Sequence, residues 1–355
     1  MTIAKPDKPQ SAPPQAQGMP PQVMILQMMN GYRLSQNISV AAQLGIADLL
    51  ADKPKSVAEL AQETETHCHS LYRLLRTLAS FDIFAEIEEQ KFRLTPRASL
   101  LKTDAPGSLR GYAVVMGADW HWQMWKDILH SVKTGESAFE AIYGMGFEDY
   151  YQQYPEVAQN FDAAMKGALT LSDRAILDSY DFASFSKVID IAGGGQGDGD
   201  LLVSILQKNQ AVTGIHFDRP TRIEQAQTTI EKSNVSDRAQ IMVGDFWESV
   251  PQGGDAYIVK NLIHDYDDAQ AGNILSNIHQ AIGNNGKLLV VEMIVPPGNE
   301  PSLAKILDVE AMIMTPGAIE RTATEYRQLF AKSGFEVSQI IPTKSPMSII
   351  EAVPV

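Results

Sequence analysis

The chain has 355 residues, a formal net charge of −14 at pH 7 and one cysteine, Cys68. A single cysteine excludes a disulfide framework or a cysteine-rich metal site within one chain, and the acidic balance argues against nucleic acid or an anionic membrane as partner. With 44% hydrophobic residues and a length beyond the roughly 250 residues at which single cores stop growing, more than one domain is expected.

Residues 1–21 are polar and proline-rich, with no apolar signal-peptide region. They read as a disordered tail on a cytoplasmic protein. Residues 22–104 are patterned as helices: Met24, Ile25, Met28, Met29 and Tyr32 recur at helical spacing, then Leu44, Ile46, Leu49 and Leu50. Ser56 ahead of Glu59 predicts an N-cap with a capping glutamate. A longer helix follows through Leu71, Leu74, Leu75 and Leu78, then two short strands at 83–87 and 91–94. Helix, turn, helix and hairpin outline a winged helix. The apolar surface of residues 23–50 exceeds what one small domain buries, which predicts a homodimer. Residues 105–180 again read as helices, a linker and lid region with Trp120, Trp122 and Trp125 clustered in it.

In residues 181–355 the period changes. Short apolar strands at 188–191, 213–217, 239–243, 256–259 and 287–291 alternate with helices, and a terminal pair follows at 336–341 and 347–352. That alternation predicts an α/β fold with a doubly wound, mostly parallel sheet.

The strand ends carry the chemistry. After Asp190, Ile191 and Ala192 comes the run Gly193-Gly194-Gly195-Gln196-Gly197, ahead of a helix with Leu201, Leu202, Ile205 and Leu206. Glycines there let the backbone approach a ligand at the carboxyl end of the first strand. A dinucleotide fingerprint fails in both registers, because Asp198 and Asp200 stand where its last glycine belongs. Those acids would also repel a pyrophosphate, so a cofactor without phosphates is favoured.

Asp218 closes the second strand, where an acid can accept both hydroxyls of a ribose or cap the next helix. Asp245 and Phe246 follow the third strand; they can grip an adenine by its amine and its face, or form a turn and a core aromatic. Lys260 ends the fourth strand and His264 follows it. Strand ends of this fold face the crevice, and a histidine there suits a general base near neutral pH. Glu292 ends the fifth strand and Glu320 precedes Arg321. Either glutamate can hold a catalytic imidazole in one tautomer; Glu320 can instead pair with Arg321 or cap the helix starting near 322–324. Asp265, Asp267 and Asp268 read as a solvated helix start, and no metal-ligand cluster is present.

Taken together, Gly193 to Gly197, the Phe217-Asp218-x-Pro220 turn, Gly244-Asp245-Phe246-Trp247, the segment 259–268 with Lys260 and His264, Leu288 to Glu292 and the segment 317–335 resemble the caffeate-type or hydroxyindole-type O-methyltransferases. The resemblance covers nearly the whole chain from about residue 22. It implies a Rossmann-like class I methyltransferase sheet behind a winged-helix dimerisation domain, with S-adenosylmethionine as cofactor. Carried over by motif, Gly193 and Gly195 would face the methionyl part of the cofactor and Asp218 its ribose. Asp245, Phe246 and Lys260 would surround the adenine. His264 would be the base, bracketed by Glu292 and Glu320. Phe161 and Met165 resemble a substrate-contacting helix and Met312 a pocket methionine, to which Met116, Trp120 and Trp125 add flat or mobile apolar groups suited to a ring. The chain departs from the pattern in Ala192 ahead of the glycines, in the Asp198-Gly199-Asp200 extension, and in Tyr266 where tryptophan is usual.

The reaction implied is methylation of a phenol or enol on a small cyclic natural product, without metal. Three rivals remain at this level. The winged helix suggests a DNA-binding regulator, but Glu86, Glu88 and Glu89 outweigh Lys91 and Arg93 on the wing. A relative with drifted chemistry, decarboxylating or hydroxylating, is opposed by His264. A nicotinamide oxidoreductase is opposed by the failed fingerprint.

Overall fold

The computed structural model describes residues 19–195 and 198–355. Most of the expected tail, residues 1–18, lies outside the described residues, as do Gln196 and Gly197 of the glycine run.

The N-terminal unit starts with a long helix, Pro21–Gln43, opened by Pro21 at its first position. The predicted capping box forms: the Ser56 side chain accepts the N–H of Glu59, and the Glu59 carboxylate accepts the N–H of Ser56, opening helix Val57–Glu63. Helix Cys68–Ala79 follows. The hairpin is joined by a strand too short to show a period, giving an antiparallel sheet of β1 (Lys55–Ser56), β2 (Phe84–Glu88) and β3 (Lys91–Leu94) in the order β1-β3-β2. Leu60, Leu71, Leu75, Leu78, Phe84 and Phe92 close its core.

The apolar surplus expected across residues 23–50 needs a correction. Ile46 and Leu50 are buried within this core, because the short helix Ile46–Leu49 folds back onto it. The surplus lies mainly at the front of the first helix, where Ile25, Leu26, Met28, Met29 and Tyr32 are exposed, with Val40 the one exposed large apolar group near its end.

The intervening helices include Arg110–Met116, Asp119–Lys126 and the 25-residue Pro155–Ser179. The first and last of these meet backbone to backbone. A Cβ on Gly111 would lie 2.6 Å from the Ala164 nitrogen, and one on Gly167 would lie 1.8 Å from the Ser108 carbonyl oxygen.

The C-terminal unit is the expected doubly wound sheet. Its strands are β4 (Lys187–Ile191), β5 (Thr213–Asp218), β6 (Ala239–Val243), β7 (Ala256–Lys260), β8 (Lys287–Met293), β9 (Phe335–Pro342) and β10 (Met347–Pro354), in the order β6-β5-β4-β7-β8-β10-β9. All pairs from β6 to β8 are parallel, and β10 runs antiparallel to both neighbours. The parallel strands β4, β7 and β8 are buried on both faces, which is why they read as continuous apolar runs. Strand order reverses at β4, since β5 lies on one side and β7 on the other. Crevices of such sheets open at that point, beyond the carboxyl ends of the strands.

Candidate active site

His264 sits in the one-turn helix Ile263–Asp265 just past β7. Its Nδ1 lies 3.0 Å from Glu320 Oε1 and 3.3 Å from Glu292 Oε2. Glu292, fully buried at the end of β8, uses its other oxygen to accept the N–H groups of Leu262 and Ile263 at 3.0 and 2.9 Å. The same carboxylate therefore fixes the backbone of the histidine turn and faces its ring. Glu320 is anchored in turn: its N–H donates to Asp308 Oδ1, 3.0 Å away on helix Leu303–Met314.

Arg321 does not pair with Glu320. Its buried guanidinium donates to the Ile263 and Tyr266 carbonyls and to Asp268. The helix behind it is capped by Thr322. Of the three acids read as a helix start, Asp267 caps helix Asp268–Ala281, while Asp265 instead approaches His264 Nε2 at 3.4 Å. Asp265 thus lies beside the ring and outside the helix start that the charge run suggested.

Burial opposes charge on His264, but Glu292, Asp265 and Glu320 outweigh it and hold the imidazole well above its ordinary range. Burial pushes the Glu292 carboxyl up to about 7 despite the histidine, with Glu320 adding to the rise. With Nδ1–H committed to a carboxylate, Nε2 is the nitrogen left to take a proton.

A second group of residues surrounds the turn after β4. Ala192 adopts φ 62° and Gly193 φ 51°, and the turn Ala192–Gly195 brings Gly195 to its far end. Beneath it, His216 Nδ1 lies 3.2 Å from Asp190 Oδ2, both side chains fully buried. A Cβ on residue 193 would come within 2.6 Å of the His216 ring, so glycine is required there for contact as well as for φ. Asp190 Oδ1 and His216 Nε2 are buried with no protein partner among the described residues.

Asp218 caps no helix. It is buried at the end of β5, where its side chain accepts the adjacent Arg219 N–H, and burial raises its carboxyl above the usual range. Asp245 accepts the Trp247 N–H, and Phe246 is a core residue with the Arg219 guanidinium 5.5 Å from its ring centre. Lys260 ends β7, across β4 from Asp218, and is paired with Asp173 of helix Pro155–Ser179. It therefore stands nearer the Ala192–Gly195 turn than Asp245 does.

The apolar candidates meet in a third group. Met116, Phe161, Met165 and Met312 are partly buried around a cluster that includes Trp120, Phe139 and Ile313. Trp120, 5% exposed, forms its back wall against Phe139, Phe147 and Phe161. Ser137 ties the end of helix Leu303–Met314 to this cluster through the Ile313 and Met314 carbonyls.

Sequence reasoning missed Asp308, Asp173, His216, His121 and Glu310. Only His216 carried a signal, as a polar residue inside the apolar run of β5.

These features define a two-domain, doubly wound enzyme with a carboxylate-held histidine beside a phosphate-free cofactor crevice. An O-methyltransferase domain is matched over residues 122–336, and an O-methyltransferase dimerisation domain over residues 26–104. The chain belongs to this O-methyltransferase family. The phenazine O-methyltransferase PhzM of Lysobacter antibioticus is 42% identical over 340 residues, 96% of this chain and 98% of that protein. The crystal structure of LaPhzM has a TM-score of 0.88 at 42% identity, covering 95% of this chain and 100% of that one. The O-methyltransferase NcsB1 from neocarzinostatin biosynthesis, in complex with S-adenosylmethionine and 2-hydroxy-5-methyl naphthoic acid, has a TM-score of 0.75 at 28% identity, covering 90% and 96% of the two chains.

Proposed function

We propose that this enzyme methylates a ring hydroxyl of a planar, fused-ring aromatic natural product, using S-adenosylmethionine, with His264 as the general base. The observation that carries this reading is the clamp on His264 Nδ1 by Glu320 at 3.0 Å and Glu292 at 3.3 Å. It leaves Nε2 to accept a hydroxyl proton as the new bond forms, while Glu320 and Glu292 stabilise the imidazolium. The ring system is the one acted on by the Lysobacter relative, and the cluster of Trp120, Phe161 and three methionines suits its flat faces.

The crevice fits the cofactor. Gly193 and Gly195 give it a side-chain-free floor, and Asp218 offers buried acceptor oxygens for ribose hydroxyls. Asp190, at the end of β4, keeps one buried side-chain oxygen without a partner among the described residues. Asp245 would hold the adenine, with Phe246 backing that turn from the core, and Lys260 with Asp173 would close the methionyl side. The cofactor supplies a methyl group already activated by its sulfonium. The residues need only orient the acceptor and remove its proton.

Homodimerisation is proposed through the exposed face of helix Pro21–Gln43. Among the described residues no helix is long and apolar enough to cross a membrane, and Cys68 is unpaired; a cytoplasmic location fits both. The reading is tested by incubating the protein with S-adenosylmethionine and 1-hydroxyphenazine and following the mass of the ring product. A gain of one methyl on oxygen, lost in His264→Ala, is expected. Binding of NADH without binding of S-adenosylhomocysteine would overturn it.

A further inference from the structure

Beside the aromatic cluster lies a polar pair, a buried histidine and a partly buried glutamate, that neither the catalytic cluster nor the cofactor crevice uses. His121, on helix Asp119–Lys126, is 4% exposed, and its Nε2 lies 3.1 Å from Glu310 Oε1 on helix Leu303–Met314. The ring packs edge-on to Trp120 with centres 5.5 Å apart. Its other nitrogen, Nδ1, is buried and meets no protein group among the described residues. Tyr112 is the third member: burial, and then the Glu310 charge, push its phenol upward.

Tyr112 packs in the same cluster as Met116, Trp120 and Met312, and stands one helical turn from Met116 on helix Arg110–Met116. His121 joins that cluster through its ring contact with Trp120, and Glu310 reaches it through His121. A buried nitrogen without a partner is destabilising, and the large majority of such atoms in native proteins find one. With Glu310 as a carboxylate, Nε2–H of His121 donates to it, and Nδ1 is left as an acceptor. The pair then carries one negative charge.

We infer that His121, oriented by Glu310, recognises a second hydrogen-bond donor on the acceptor, a ring hydroxyl or amino group apart from the hydroxyl that is methylated, and that the same pair rejects acceptors bearing a carboxylate at that edge. The inference rests on the acceptor chamber proposed above and adds the chemistry of its distal end. A chamber of apolar walls alone would not distinguish a dihydroxy ring from its monohydroxy analogue. One that leaves a buried acceptor unmet does, because the analogue pays for the unmade bond.

Three probes decide it: 1,6-dihydroxyphenazine, 1-hydroxyphenazine and 6-hydroxyphenazine-1-carboxylate, each titrated calorimetrically into the full chain saturated with S-adenosylhomocysteine. The dihydroxy probe is expected to bind about tenfold more tightly than the monohydroxy one, and the carboxylate most weakly. In His121→Leu, which keeps the volume, the dihydroxy preference collapses to within about twofold while S-adenosylhomocysteine affinity holds. In Glu310→Gln the carboxylate probe gains affinity, a change that loss of packing would not produce. Equal affinity of the first two probes for the natural protein means that solvent rather than ligand meets Nδ1, and overturns the inference. So does an undiminished preference in His121→Leu, or failure of all three probes to bind. Failure of S-adenosylhomocysteine itself to bind is a different outcome and sinks the proposed function instead.

Discussion

Asp308 accepts the backbone N–H of Glu320 at 3.0 Å, so the helix that carries Met312 also carries the group that anchors Glu320 beside His264. Removing that anchor frees Glu320 without touching any reacting atom. Asp308→Ala is expected to lower kcat on the order of tenfold through a displaced imidazole, with cofactor affinity unchanged. Steady-state kinetics beside a calorimetric titration of S-adenosylhomocysteine separate the two, and an unaltered kcat would show that Glu320 is held by other contacts.

Truncating the base itself has a larger effect. His264→Ala is expected to reduce turnover by about 10²–10⁴ and to leave cofactor binding near that of the natural protein. Among the described residues no group of three or more metal-binding side chains is arranged around an ion, so EDTA is expected to leave the rate unchanged. Inhibition by the chelator, reversed by a divalent metal, would defeat the proposed proton-transfer chemistry.

The carboxylates that orient His264 also hold it protonated, because they raise its pKa well above the ordinary value of 6.5. Only the neutral ring accepts a proton, so kcat/KM climbs with pH and levels off well above 6.5. Glu320→Gln keeps the Nδ1 partner but removes a charge. Its rising limb should move to lower pH, even though its maximal rate falls. A limb that stays in place would assign the titration to the acceptor hydroxyl.

Glu292 links the same cluster to stability. Its folded value of about 7 lies above the ordinary 4.5, so the folded chain holds a proton that the unfolded chain releases between those values. Stability from this group is complete below about 4.5 and is lost as pH rises through about 7, by up to about 3 kcal/mol. Glu292→Gln should flatten that slope in urea melts taken at pH 5, 6 and 7. A slope equal to that of the natural protein would place the proton on another group.

The face proposed for dimerisation is narrower than the hydrophobic pattern suggested. Met28 and Met29 are 70% and 59% exposed on helix Pro21–Gln43, while the apolar groups of the next helix belong to the domain's own core. Met28→Glu should convert a dimer to a monomer at micromolar concentration, read by light scattering. Leu50→Ala should instead lower the melting temperature, since it opens a cavity.

The sheet was legible because buried parallel strands are unbroken apolar runs ended by glycine or acid, and each predicted strand lies within or closely along an observed one. His264 and Glu320 were legible because both flank such strands or a capping sequence. Their supports were not. Asp308 meets Glu320 from a helix face, and His121 meets Glu310 across 189 positions, a pairing no local period records. Phe246 reads as an adenine platform or a core ring from its position alone; its burial in the core shows that the second reading describes its packing. The two-residue β1 was below the length at which alternation can be seen. The positive φ of Ala192 had no sequence signal, since that conformation is ordinarily given to glycine.

Three largely buried acids stand near the glycine turn. Burial holds the carboxyls of Asp173, Asp198 and Asp218 above their ordinary range, so each would be eased by a positive neighbour. A sulfonium brings that charge, and the thioether left after transfer does not. S-adenosylmethionine is therefore expected to bind more tightly than S-adenosylhomocysteine in calorimetric titrations at low salt, and equal affinities would show that these carboxyls do not meet the sulfonium. Added salt, which screens charge, should narrow the difference from the loaded side alone.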